Sequence, residues 1–350
     1  MNSLSSFLVA VCVGASLTQA AWGEPITRIA FGSCAESSKR QPIWESILND
    51  DPEVFVLLGD NIYGDTTEVE VLREKYREFG DVGGFKRLRN EAEVVATWDD
   101  HDYGMNDAGR EYPLKRESRE AFLTFFREEE SSPRWTQEGG IYTSYLWGEP
   151  GRSVQLILLD LRWDRTPLAA VDAETYRKKC RPAKMGPYLP QEDDSARIMG
   201  EAQWRWLEAQ LEKPADIRII GSSIQVLSDF TGWEAWANFP KERQRLFALI
   251  EKARAHGTFL ISGDTHWAEF SRLDLKTGYP LWELTSSGLT EEWSDVSPNK
   301  NRIGRPYSKA NYGLIEISWN APQPQVTLSV KNVNGRIEMQ NTIVLSDLKF

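Results

Sequence analysis

Apolar and polar positions fall into short blocks of two different periods. Residues 26–31 predict a strand, and 54–58 are an unbroken apolar run, as expected for a strand buried on both faces. Helical spacing over 42–49 follows the first strand, and over 69–79 the second. Residues 94–97 predict another short strand. Residues 114–130 predict a long helix with Phe122, Leu123, Phe125 and Phe126 on its apolar side. Residues 141–147 and 154–160 predict two neighbouring antiparallel strands. From 162 to 200 the pattern dissolves into proline and charge, a length typical of lids and binding loops. Helix, strand, helix and strand then follow over 202–211, 217–220, 241–255 and 258–261. The remainder reads as strands at 270–273, 281–285, 314–318, 326–330 and 337–344. No internal repeat or low-complexity linker interrupts the series. Alternating units with a β-rich tail predict one α/β domain, residues 24–350, with a mixed or two-layer sheet core.

Composition narrows the class. Acidic residues number 52 against 41 basic in 350 residues, a formal net charge of -11. Direct nucleic-acid binding and adhesion to anionic membranes are disfavoured. No feature points to a protein partner. The 14 tryptophans are expected mostly in packing, with a few lining a site.

Residues 1–23 carry no charged side chain, and 4–17 are mostly apolar and small. That run is too short to span a bilayer comfortably. Ala21 and Gly23 are placed as a cleavage signal before Glu24. This predicts a signal peptide and a secreted or periplasmic protein without stable membrane insertion after cleavage; an uncleaved anchor is the alternative. Cleavage removes Cys12 and leaves Cys34 and Cys180, which in an oxidising compartment suggest a disulfide. A free Cys34 thiolate ligand is the competing reading, and the two exclude each other.

The chemistry is concentrated after the apolar runs. Residues 97–107, TWDDHDYGMND, pack five carboxylates or amides and one of only three histidines into about one loop. Unpaired, such groups repel one another and are costly to bury. A metal ion compensates them most simply. Three other strand ends look alike: GSC ends at Cys34, GDNIYGD carries Asp60, Asn61, Tyr63 and Asp65, and GDTH carries Asp264 and His266. Taken singly, each is also an ordinary turn, cap or hydrogen-bonded histidine. In open α/β sheets, sites form beyond the carboxyl ends of strands, so the four can converge.

These motifs, GSC, GDNIY, WDDHD and SGDTH, together with MGEAQWRWLEAQL at 199–211 and IIGSSIQV at 219–226, resemble the PhoD-like alkaline phosphatases of the calcineurin-like metallophosphoesterase superfamily. The resemblance implies a four-layer αββα sandwich of mixed β-sheets. It implies hydrolysis of phosphate mono- or diesters by a hydroxide held between metals. By position, Asp60 resembles the carboxylate that bridges two metals, and Asp100, Asp264 and His266 resemble further ligands. Cys34 and Tyr63 resemble the thiolate and phenolate ligands of this branch, and His101 resembles the histidine that contacts the phosphate or protonates the leaving oxygen. The resemblance implies Fe3+ plus Ca2+. The residues alone indicate hard, oxygen-preferring cations, because three histidines cannot build a histidine-rich pocket. The chain departs from the family in lacking a twin-arginine signal and room for a domain before Ile26, so its site is expected to be more open.

Arg162 is a candidate for gripping a phosphate oxygen, and a salt bridge at the loop base is its alternative. Asp102 is a candidate for orienting His101. The basic residues Arg177, Lys178, Lys179, Arg181 and Lys184 would attract anions or form a solvated loop. Competing readings of the chain are a serine hydrolase using Ser222 or Ser223, a calcium-stabilised non-catalytic binding module, and a phosphodiesterase or phospholipase specificity on the same fold. The serine reading lacks the glycine that a nucleophile elbow requires.

Overall fold

The computed structural model describes residues 24–276 and 278–350. The expected signal peptide, residues 1–23, lies outside the described residues. Among those described, no helix is long and apolar enough to cross a membrane.

The chain starts one sheet, builds a second, and returns to the first. β1 (Arg28–Gly32), β2 (Val54–Leu58) and β3 (Glu93–Thr97) run parallel, side by side. β4 (Thr143–Trp147), β5 (Val154–Leu158), β6 (Ile217–Ser222), β7 (Thr258–Ser262), β8 (Ala268–Asp274), β9 (Pro280–Ser286) and β10 (Arg302–Tyr307) form the second sheet. β11 (Asn311–Ser318), β12 (Gln325–Asn332) and β13 (Ile337–Val344) then extend the first beside β1. The strand orders are β13-β12-β11-β1-β2-β3 and β10-β8-β9-β7-β6-β5-β4. Within the second sheet β5, β6, β7 and β9 are parallel, and β4 pairs antiparallel with β5, as the sequence pattern predicts.

Strand β2 shows why the sheets pack as layers. All five of its residues are buried, and successive side chains serve opposite faces. Val54, Val56 and Leu58 join the core shared with β5, β6 and β7 of the second sheet. Phe55 and Leu57 join a separate core under the helices, with Trp44, Leu72, Phe85 and Phe122. Trp204 and Leu207 of helix Glu201–Leu211, and Leu246 and Ile250 of helix Pro240–Lys252, pack with the second sheet. The result is a mixed α/β fold in four layers, helices outside and two mixed sheets inside.

Three local differences from the expected elements have physical causes. Helix Gly83–Glu91 opens on two glycines and is mostly polar, so its periodicity is hidden; Phe85 and Leu88 alone are buried. The helix expected over 114–130 spans only Lys115–Phe125, and Arg127 at φ 56° turns the chain out of it. The stretch expected to be structureless contains helical turns over 173–183. It is also docked: the Gly186 and Tyr188 amides donate to the Thr231 and Gly232 carbonyls at 3.1 and 2.8 Å. A Cβ on Gly186 would stand 2.3 Å from the Gly232 oxygen, so the close approach requires glycine there.

Candidate active site

Parallel pairing places the carboxyl ends of β1, β2 and β3 at one edge of the first sheet, and β7 of the second sheet ends against them. Ser33 Oγ accepts from the Asp264 amide at 3.3 Å, which joins the β1 and β7 turns. The chain reverses sharply at candidate ligands after β1, β2 and β7. Cys34, Asp60, Asp264 and His266 have φ values of 63°, 50°, 73° and 63°. Such left-handed residues cost on the order of 1–3 kcal/mol each and persist where surroundings over-determine them. Gly59 (φ 102°) lets the β2 turn press on the next loop, since a Cβ there would lie 2.4 Å from Asp99 Cβ. Asp102 locks the two turns, accepting from the Asp99 amide at 2.6 Å and the Asn61 amide at 3.3 Å.

The reversals converge the donor groups. Cys34, Asp60 and His266 each offer one ligand atom within 4.8 Å of the others. Asp60, Asp99, Asp100 and Asp264 do the same, as do Asp60, Asp100 and His101. Asp60 therefore belongs to both a sulfur-and-nitrogen cluster and an all-carboxylate cluster. Its Oδ2 lies 3.3 Å from Cys34 Sγ, while its Oδ1 and Asp100 Oδ1 are buried with no hydrogen-bond donor. Buried carboxylate oxygens left without donors, beside a thiol and an imidazole, fit a site for cations. Tyr63 Oη sits 3.3 Å from His266 Nε2 and its ring lies 4.3 Å from that of His101. All seven residues assigned to metal or proton chemistry from the sequence, Cys34, Asp60, Tyr63, Asp100, His101, Asp264 and His266, thus occupy one end of the sheets. Five of them line a cleft of about 250 Å³.

A model of the PhoD-like phosphatase family matches residues 29–341. The chain belongs to the PhoD-like phosphatases. A search of curated proteins gives no match. A solved structure of PhoD matches with a TM-score of 0.68 at 14% identity, over 92% of this chain and 69% of that one. A dimetal phosphatase from Danio rerio matches with a TM-score of 0.56 at 12% identity, covering 92% of this chain and 100% of the other. GAP50, the anchor in the inner membrane complex of Plasmodium, matches at 0.55 and 11%, covering 92% and 90%. At these identities the structures speak for the fold, which is that of the metallophosphoesterases; the family match speaks for a phosphoester hydrolase.

Electrostatics in this PhoD-like cleft are dominated by burial of like charges. Burial, then Cys34 and Asp100, push Asp60 well above the usual carboxylate range, and burial pushes the Cys34 thiol up to about 12. Burial likewise raises Asp99 to about 7, Asp102 to about 8 and Asp107 to about 7. Burial disfavours charge on His101, yet Asp60, Asp100 and Asp65 outweigh it and hold the ring protonated up to about 11. All these folded values exceed the unfolded ones, so these groups bind more protons in the native protein than in the unfolded chain from about pH 4 upward, while burial lowers His266 and opposes them near neutral pH. Their stabilisation is complete below the unfolded values and is lost as pH rises through the folded ones. Metal-free protein should therefore melt about 3 °C lower at pH 9 than at pH 6, roughly 2 kcal/mol for a chain of this size. Thermal melts in chelator across that range check this; a midpoint that rises with pH contradicts it.

The PhoD-like phosphatase holds Arg162 elsewhere than the phosphate-gripping role expected of it. Its side chain is 0% exposed, pairs with Asp99 at 2.5 Å and Glu234 at 2.7 Å, and does not line the cleft. The partner of His101 is Asp65, 2.8 Å from Nδ1, rather than Asp102, which is engaged with Asn61 and the Asp99 amide. Both Cys34 and Cys180 are free, so no disulfide joins them. Ser222 is buried between the Ile224 carbonyl and Trp236 Nε1, and Ser223 is fully buried too, which removes the serine-nucleophile reading. Glu234 and Ser287 escaped sequence reasoning, whereas Asp107 closes the 97–107 stretch. Ser287 Oγ is 3.2 Å from Cys34 Sγ, and Glu234 and Asp107 form a third acidic cluster with Asp100. Asp65 stood in a quoted motif; Glu234 follows no apolar run and gives no local signal.

Proposed function

We propose that this PhoD-like phosphatase is an exported, metal-dependent hydrolase of phosphate mono- or diesters, with residues 24–350 as one catalytic unit. The observation that carries the reading is Asp60, the one carboxylate common to a Cys/His cluster and a carboxylate cluster, with one oxygen lacking any donor. Export rests on the apolar segment within residues 1–23.

Cys34, Tyr63, Asp60 and His266 would hold one cation, and thiolate with phenolate suits ferric iron. Asp60, Asp99, Asp100 and Asp264 would hold a second, and an all-oxygen set suits calcium. Bound cations supply charge for the phosphoryl oxygens and acidify water. The chain's own groups do the rest. His101 lines the cleft, and Asp65 occupies Nδ1. Nε2 is then the nitrogen that donates a proton to the leaving oxygen. Asp65 is half exposed, so it also keeps the ring oriented without burying another charge.

Elemental analysis of the purified protein, paired with aryl phosphate monoester and diester assays before and after chelation, tests the reading. Iron with calcium, and activity that chelation removes and the two cations restore, are expected. Full turnover after complete metal removal would overturn metal dependence. Calcium-dependent thermal stabilisation without turnover would favour the binding module instead.

A further inference from the structure

Two adjoining cavities share the indoles of Trp233 and Trp293 as walls. The first is the carboxylate cleft. The second, about 290 Å³, is lined on its far side by Tyr176, Arg181, Lys184 and Met185 of the docked 162–200 segment and by Asp295. The shared rings meet edge to face with centroids 5.8 Å apart, and Tyr176 approaches Trp233 at 6.5 Å. Trp293 is 40% exposed, although indoles are on average highly buried. Its position is nonetheless fixed. Its backbone amide donates to the His266 carbonyl at 3.0 Å, and its indole nitrogen donates to the Asp295 carbonyl at 3.2 Å. Trp233 precedes Glu234 of the buried Arg162 cluster, and its buried indole nitrogen has no acceptor.

The basic side of the second cavity is equally built. Ser297 Oγ donates to the Lys184 carbonyl at 2.6 Å, and the Gly186–Gly232 approach pins the segment beside Trp233. Arg181 has no ion pair among the described residues. Lys184 pairs only with Asp295, at 3.4 Å and with both side chains exposed, so it is free to exchange partners. Flat apolar walls next to the phosphoryl site, followed by two cations in a chain of net charge -11, define a polarity.

The geometry points to a leaving-group subsite: Trp233 and Trp293 receive a flat aromatic group on the phosphate ester, and Arg181 with Lys184 receive a second anionic substituent on that group. The inference deepens the phosphoesterase reading and rests on it. Ring stacking on indole is sequence- and substituent-tolerant, while the cations select a ligand with a further negative charge.

Calorimetric titration of the metal-loaded protein with phenylphosphonate, methylphosphonate and 4-carboxyphenylphosphonate tests it. Phenylphosphonate is expected to bind about tenfold tighter than methylphosphonate, from stacking alone. Trp293→Ala should bring that ratio close to one. The carboxylate should add up to about fivefold in the wild type, and the Arg181→Ala, Lys184→Ala double variant should lose it. Equal or absent binding of phenyl- and methylphosphonate by the wild type overturns the subsite. So does a preference that survives Trp293→Ala. Phosphoester hydrolysis measured on the same preparation separates the two ideas: turnover without aromatic preference sinks only the subsite. Aromatic preference without turnover of any phosphoester sinks the phosphoesterase reading, and with it the assignment of the bound group as a leaving group.

Discussion

Asp60→Asn is expected to lower phosphoester turnover by about a thousandfold or more, because the amide keeps the shape but removes the charge shared by both clusters. Loss of several kcal/mol of electrostatic stabilisation corresponds to that factor at about 1.36 kcal/mol per tenfold. The same change should spare or raise the stability of the metal-free protein. Burial, Cys34 and Asp100 all disfavour the Asp60 carboxylate, and a neutral amide escapes that cost. Cation-dependent thermal stabilisation should shrink in parallel. Turnover within tenfold of wild type, at unchanged metal content, would show that Asp60 does not join two cation sites. The position should be assayed with elemental analysis on the same sample, so that lost chemistry and lost metal are read together.

Arg162→Met should cost about 3–5 kcal/mol of stability, because it strands Asp99 and Glu234 as buried charges with one counter-ion between them. Arg165 still pairs with Glu234 at 2.9 Å, but Asp99 keeps only distant help. For a chain of this length the loss corresponds to roughly 4–7 °C in the thermal midpoint. A second substitution, Glu234→Gln, should recover part of it by removing one stranded charge. The alternative assignment makes the opposite prediction. An arginine that gripped substrate would raise KM and leave the melting temperature in place. Melting curves and a substrate titration on the single variant therefore decide between the two.

The legible part of this protein was its apolar rhythm. VFVLL announced a strand buried on both faces, and the structure sends its alternate residues to two different cores. Short runs followed by GSC, GDN, DDHD and GDTH placed ligand-type residues at strand ends, because a chain that leaves a buried strand must turn within a few residues. Those turns carry their chemistry locally, so they could be read one by one. Where the periodicity was diluted, as in RIGRPY of β10 or the glycine-led helix Gly83–Glu91, the elements were invisible.

Roles that depend on distant partners were not legible. Arg162 follows a strand and carries a fork suited to phosphate, and nothing local distinguishes that use from a buried ion pair. Glu234, from an irregular stretch 72 residues on, supplies the ion pair seen in the structure. His101 has Asp102 as its neighbour in sequence, yet the short helical turn Asp100–Tyr103 directs Asp102 back to Asn61 and leaves the ring to Asp65. The sequence by itself determined the apolar strands, the turn chemistry and the family to which the motifs are similar. The tertiary structure alone decided which charge meets which. Strand patterns are set by solvent and period over a few residues, whereas charge partners are set by the crossing of turns from two sheets.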